Sequence, residues 1–239
     1  MPKARAVPPA SIVVRTEWAR RVEEEYRSSA IAQNLTLWLT QIGASPDLVH
    51  TGLRIGDDEI VHSEMSHAVL EAAGGGPSAP IARDTLELAR TPGQPLEHDV
   101  ARVAVRVFCL GETVAVPLFR RLREGCTVPV ARRALDRVLR DEVRHRDFGW
   151  SLLGWLLEHP MAPAVRKLAE AALPADFARL RGAYGANPEV TQIDPKDRAW
   201  GLMSPSEYAA ATERTLERDW IPRFGKLGID ARRAWSASL

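Results

Sequence analysis

Hydrophobic residues recur every three or four positions along four long stretches of the chain. This spacing is typical of helices that bury one face. The four stretches cover roughly residues 16–41, 46–73, 97–124 and 127–159. Ser45-Pro46-Asp47 is a strong helix start, and Gly43 and Gly125 stand where helices are expected to end. No strand-type alternation competes with this helical pattern.

The connections between the predicted helices indicate the topology. The first and last links are only a few residues long, so each predicts an antiparallel hairpin. The middle link, residues 74–96, is rich in Gly and Pro and is long enough to cross the full length of a bundle. The chain is therefore expected to fold as an all-α four-helix bundle of two antiparallel hairpins joined by one long crossover.

Further signals divide the chain and place the helix ends. The predicted organisation is a flexible N-terminal arm over residues 1–15, the bundle over 16–160, and a helical C-terminal extension over 161–239. Thr16 and Thr127 are the expected caps of the first and fourth helices, and Pro117 is expected to kink the third. In the extension, Ser204 and Glu207 form a capping box that opens a helix to about residue 220. We expect this extension to pack on the bundle as a lid or an oligomer contact.

Two of the predicted helices carry the same five-residue pattern. The second contains Asp58-Glu59-Ile60-Val61-His62, and the fourth contains Asp141-Glu142-Val143-Arg144-His145. Residues three apart share a helix face, so each Glu and His can bind one metal ion together. One Glu-x-x-His is a weak signal. Two of them, one on each hairpin and both on the apolar stripe, predict a metal site inside the bundle.

A two-metal site in a four-helix bundle needs one more carboxylate from each remaining helix. Glu112 in the third helix lies among apolar residues, where an isolated carboxylate is unfavourable to bury and a bound cation removes the penalty. The alternative for Glu112 is an ion pair with an arginine of the fourth helix. In the first helix Glu25 is in phase with the apolar stripe, whereas Glu23 and Glu24 are expected to be solvated.

The predicted metal ligands are therefore Glu25, Glu59, His62, Glu112, Glu142 and His145. Asp58 and Asp141 precede the two ligand pairs, and each is expected to accept the free ring N–H of the histidine on the opposing helix. A third Glu-x-x-His, Glu64 and His67, is turned away from the first pair and is interpreted as surface.

Composition excludes several other classes of protein. The 239 residues carry 32 Lys and Arg against 31 Asp and Glu, so the basic excess of nucleic-acid-binding proteins is absent. Two cysteines without metal-type spacing, no signal peptide and no long apolar run indicate a reduced, cytoplasmic setting without a membrane span.

With these motifs the chain resembles the ferritin-like diiron-carboxylate proteins, and among them a bacterial group of ferritin-like domain proteins. The resemblance covers about residues 16–160 and is most typical in LTLWLTQIGASPDLVHTGLRIGDDEIVH. It implies that the six ligands hold two iron ions, or manganese with iron, and that these react with dioxygen or peroxide.

Two functions follow from the sequence as expectations. The first is an oxidase or oxygenase that acts on a small organic substrate, in a monomer or a small homo-oligomer such as a dimer. The alternative is a ferroxidase or iron-binding protein without an organic substrate. Small residues near the predicted site are expected to leave room for a substrate pocket: Ser28, Ser29, Ala32, Gly52, Gly56, Ser66, Gly111 and Gly149.

Overall fold

The computed structural model describes residues 10–76 and 81–238, and within these ranges the regular secondary structure is helical. The α-helices are α1 (Ile12–Gln41), α2 (Pro46–Ala72), α3 (Leu96–Val103), α4 (Thr113–Gly125), α5 (Pro129–Glu158), α6 (Ala162–Tyr184), α7 (Pro195–Ala199), α8 (Pro205–Thr215), α9 (Ile221–Lys226) and α10 (Ala231–Ser236). π-Helical turns span Ala104–Glu112, called here the first π segment, and Leu216–Trp220, the second.

The first hairpin is close to its prediction, with one correction at its start. Helix α1 begins at Ile12, because the Ser11 hydroxyl accepts the Val14 N–H, so Thr16 lies inside the helix and is not its cap. Part of the predicted arm is thus helical, and residues 1–9 lie outside the described ranges. Gly43, at φ +68°, ends the turn into α2, which starts with the expected proline at its first position.

The third bundle helix consists of α3, the first π segment and α4 in direct succession. Pro117 is accommodated within α4, and the departure from α-helical geometry that the sequence did not predict lies before it, over Ala104–Glu112. π-Helical turns are uncommon and often lie at functional sites. Here the segment ends on Glu112, one of the predicted ligands.

The second hairpin places the fourth bundle helix, α5, against this third helix. Helix α5 follows Val128, whereas Thr127 had been predicted as its cap; the Thr127 and Val128 N–H groups instead donate to the Ala199 carbonyl of the C-terminal extension. Helix α1 packs along α2, and α2 faces α5. The two helices with Glu-x-x-His therefore face each other, and the all-α ferritin-like bundle that the sequence predicted is confirmed.

The C-terminal extension packs on its own bundle. Helix α6 lies on α3 and the first π segment, and α8 lies on α4. Two buried tryptophans hydrogen-bond across this contact. Trp18 of α1 donates to the Trp200 carbonyl, and Trp220 donates to the Cys109 carbonyl of the first π segment at 3.0 Å. Neither α1, α2, α5 nor any other described helix is long and apolar enough to cross a membrane.

Gly149 permits a close approach between α5 and the first π segment. A Cβ atom there would lie 2.4 Å from the Phe108 Cβ and 2.8 Å from the Phe108 backbone carbonyl carbon. Rotation of a side chain cannot relieve a clash with backbone atoms. The absence of a Cβ at Gly149 therefore allows the segment that carries Glu112 to lie this close to α5.

We therefore expect Gly149→Ala to destabilise the fold by about 2 kcal/mol through overpacking. Gly154→Ala is the matched control on the same helix, since a Cβ at Gly154 meets nothing within 4 Å. It should stabilise the protein by about 0.5–1 kcal/mol, because alanine loses less entropy in a helix. Urea unfolding of both variants measures the difference, and equal stability would contradict the close packing.

Candidate metal centre

All six predicted ligands meet in the interior of the bundle. Helix α1 supplies Glu25, α2 supplies Glu59 and His62, the first π segment supplies Glu112, and α5 supplies Glu142 and His145. Potential ligand atoms lie within 4.8 Å of one another in two groups, which are Glu25, Glu59, His62 and Glu142, and Glu59, Glu112 and His145. All of these side chains are buried except Glu112, which is half-buried.

Glu59 belongs to both groups and lies between the two histidines. Its Oε2 is 3.4 Å from the His62 Nδ1, and its Oε1 is 3.2 Å from the His145 Nδ1. Each histidine faces a second carboxylate as well, with Glu25 at 3.7 Å from the His62 Nδ1 and Glu142 at 3.8 Å from the His145 Nδ1. One carboxylate with each oxygen directed to a different histidine is suited to binding two cations at once.

Several buried polar atoms of the cluster have no hydrogen-bond partner. They are the Nδ1 atoms of His62 and His145, Oε2 of Glu59 and Oε2 of Glu142. Buried polar atoms are nearly always paired, so four orphans that face one another need an explanation. Transition-metal ions satisfy carboxylate oxygens and imidazole nitrogens together, so this donor set fits a metal centre.

Two aspartates orient the histidine rings by contacting their Nε2 atoms, on the side of each ring away from the cluster. The His62 Nε2 lies 3.3 Å from Asp141, and the His145 Nε2 lies 3.4 Å from Asp58. Each aspartate belongs to the helix opposite its histidine. Because an ionised carboxylate only accepts, each Nε2 carries the proton and each Nδ1 faces the cluster.

Arginines of α5 surround these aspartates, a contact that was not predicted from the sequence. Arg137 and Arg144 bond to both aspartates, and Arg140 bonds to Asp141. Burial alone would raise the pKa of Asp58, but bonds from His145 and Arg144 outweigh it and lower the pKa to about 2. Burial is likewise outweighed at Asp141, where Arg140 and Arg137 hold the pKa below its usual range. The i−4 and i+3 spacing of these arginines from Asp141 was the available signal.

Without a cation the cluster retains protons. Burial raises the pKa of Glu25 to about 7, and burial together with the neighbouring Glu112 raises the pKa of Glu142 well above its usual range. Burial opposes charge on both histidines, but nearby carboxylates outweigh it and raise the pKa of His62 to about 10 and that of His145 to about 9.

A cavity of about 230 Å³ adjoins the cluster. It is lined by the carboxylates of Glu25, Glu59, Glu112 and Glu142, by apolar residues of the first π segment and α4, and by residues of α1, α6 and α8. Among the small residues expected to make room, Ser28 and Gly111 line it. At Gly52 and Gly149 the space is filled by Thr36 and Phe108 of neighbouring helices. The expectation that these two glycines leave room for a substrate pocket was therefore wrong.

The remaining candidates lie elsewhere. Glu24 is exposed and pairs with Arg20. Glu64 and His67 are exposed, and His67 lies beside Glu71. Glu112 makes no ion pair with an arginine of α5 among the described residues; it lies beside Glu142 instead.

Comparison with solved structures supports the fold. A structure described as protein 19 with aldehyde deformylating oxidase activity, from Synechococcus, is similar with a TM-score of 0.59 and 19% sequence identity. The alignment covers 95% of this chain and 96% of that chain, so the likeness extends beyond the bundle into the C-terminal extension. At this identity it concerns the fold. No protein-family model and no curated protein matches the chain.

Metal binding at this cluster is expected to displace protons, because cations need neutral histidine nitrogens and ionised carboxylates. Glu25, Glu142 and the two histidines all have raised pKa values, so the metal-free protein holds these protons near pH 7. Affinity for Mn²⁺ should therefore rise from pH 6 to pH 9. Calorimetry at pH 7 in two buffers of different ionisation enthalpy should show release of about three protons per chain, from Glu142 and the two histidines, with a further fraction from Glu25. Binding that neither releases protons nor varies with pH would contradict this assignment.

Proposed function

We propose that this protein is a dimetal oxidoreductase, an oxidase or oxygenase that uses dioxygen on a small organic substrate. Its six ligands would hold two iron ions, or manganese with iron. The observation that carries the proposal is Glu59, whose two oxygens face the Nδ1 atoms of two different buried histidines. The unpartnered atoms around it support binding of two ions.

The bound metal pair would supply electrons for the reduction of dioxygen. The chain itself holds the ligand atoms in place. Asp58 and Asp141 keep the Nε2 protons of the histidines, and the arginines keep both aspartates ionised. Leu118, Phe119 and other apolar side chains of the cavity limit water next to the cluster.

The cavity supports an organic substrate. The cavity beside the four carboxylates has a volume of about 230 Å³, which is larger than an iron ion needs. Part of its wall consists of apolar side chains. The structural neighbour with aldehyde deformylating oxidase activity shows that this fold can carry oxidase chemistry. Tyr184 of α6 and Tyr208 of α8 line the same cavity, so the C-terminal extension would cover the substrate.

The experiment that tests this proposal is an anaerobic titration with Fe²⁺ followed by exposure to dioxygen. We expect two Fe²⁺ ions per chain to bind and be oxidised, with no further oxidation when more Fe²⁺ is supplied. Oxidation of many ions per chain, with light scattering from a ferric mineral, would overturn the enzyme proposal and favour the ferroxidase alternative.

Glu142→Ala should weaken the binding of at least one ion, by no less than the roughly 10–100-fold seen when supporting partners of metal ligands are removed. Glu64→Ala is the matched control, because Glu64 belongs to an exposed Glu-x-x-His of α2. It should bind and oxidise two ions like the unaltered chain. Binding of two ions to both variants with equal affinity would rule out the ligand set.

A further inference from the structure

The wall of the cavity includes one buried basic side chain with an unpartnered donor. Arg21 of α1 is 4% exposed and is fixed by several contacts. Its Nε donates to Glu17 at 3.2 Å, its Nη2 donates to the Gly201 carbonyl at 3.1 Å, and its guanidinium lies 4.4 Å from the Trp18 ring centroid. Its Nη1 is buried and has no hydrogen-bond partner.

Among the described side chains that line the cavity, Arg21 is the one whose buried donor lacks a partner. The other unpartnered lining atoms are acceptors, on Glu59 and Glu142 of the metal cluster. A buried charged donor without an acceptor is unfavourable. Unlike the unpartnered nitrogens of Arg27, Arg144 and Arg181, that of Arg21 belongs to a residue of the cavity wall, where a ligand can supply the acceptor.

The position of Arg21 determines how such a ligand would lie. Arg21 precedes Glu25 by one helical turn, a rise of about 6 Å along α1. Its contact with Glu17 shows that the side chain extends further toward the start of the helix, away from Glu25. A group bound at Arg21 therefore leaves the rest of a short molecule to extend along the cavity to the metal cluster.

Two arginines and two glutamates balance in charge at this end of the cavity, so a negatively charged group there depends on the unpartnered Nη1 of Arg21. Glu17 and Glu24 also line the cavity, but both are paired with arginines, Glu17 with Arg20 and Arg21, and Glu24 with Arg20. Guanidinium N–H groups bond most strongly to carboxylate oxygens. Arg20 and Glu24 are about half exposed, so this end of the cavity is open to solvent.

Tyrosines and apolar side chains complete the cavity. The rings of Tyr184 and Tyr208 stack at 6.1 Å between centroids. Burial raises the pKa of both phenols and outweighs the lowering that the neighbouring Arg21 causes at Tyr208, so both hydroxyls stay neutral. Val107, Ala115 and Leu122 supply apolar surface. The cavity volume of about 230 Å³ has room for a short organic molecule.

We propose that the substrate is a small carboxylic acid with an apolar body, whose carboxylate binds Arg21 and whose carbon chain lies toward the metal cluster. The inference rests on the proposed function, because it assigns a substrate class to the same site. In this orientation the substrate carboxylate lies away from the metal ions. The proposal thus differs from a binding mode in which the carboxylate ligates the metals directly.

Nuclear relaxation in the unaltered protein loaded with Mn²⁺ tests this orientation with hexanoate as the probe. The terminal methyl carbon should relax faster than the carboxyl carbon, because the methyl end lies nearer the paramagnetic ions. Fastest relaxation at the carboxyl carbon, or no binding of hexanoate, would overturn the proposal. Failure to load two Mn²⁺ ions would instead count against the dimetal function, so the two failures are distinguishable.

Affinity measurements supply the second arm. By calorimetry hexanoate should bind at least tenfold more tightly than hexanamide, and hexylamine should not bind. Arg21→Gln should weaken hexanoate at least tenfold and leave hexan-1-ol unchanged. Arg27→Gln changes a residue of the same helix outside the cavity, and it should alter the affinity of neither hexanoate nor hexan-1-ol. Equal affinity for acid and amide in the unaltered protein would overturn the proposal, whether or not Arg21→Gln folds.

Discussion

The burial of four carboxylates beside two histidines in one apolar bundle is the constraint on which the rest of the structure depends. Like charges at this depth repel one another and lose their hydration, so they need either protons or cations. Glu59 occupies the centre and contacts both histidines. In the metal-free state this unfavourable burial of charge raises the pKa values of Glu25 and Glu142. Under the proposed function, two divalent cations would offset this repulsion without protonation of the carboxylates.

The parts around the cluster hold it in one geometry. On one side Asp58 and Asp141, tied to arginines of α5, fix the histidine rings. On the other side Glu112 is carried by a π-helical segment that packs against α5 at Gly149 and bonds to Trp220 of the C-terminal extension. The extension thus contributes both to the position of Glu112, a proposed ligand, and to the wall of the cavity.

The sequence alone predicted the bundle and the meeting of the six side chains, because the doubled Asp-Glu-x-x-His is periodic and local. It could not predict the partners of Arg137 and Arg144, since an arginine on a helix reads as solvated until the opposing helix is known. The π segment was also missed, because no local motif in the sequence marks it. Arg21 gave no signal, since its unpartnered nitrogen is a property of the folded interior.

Anomalous diffraction from crystals grown with Mn²⁺ tests the central claim most directly. The account predicts two peaks per chain, one on each side of Glu59, with one nearer the His62 Nδ1 and the other nearer the His145 Nδ1. A single peak, or peaks away from Glu59, would contradict the two-metal centre.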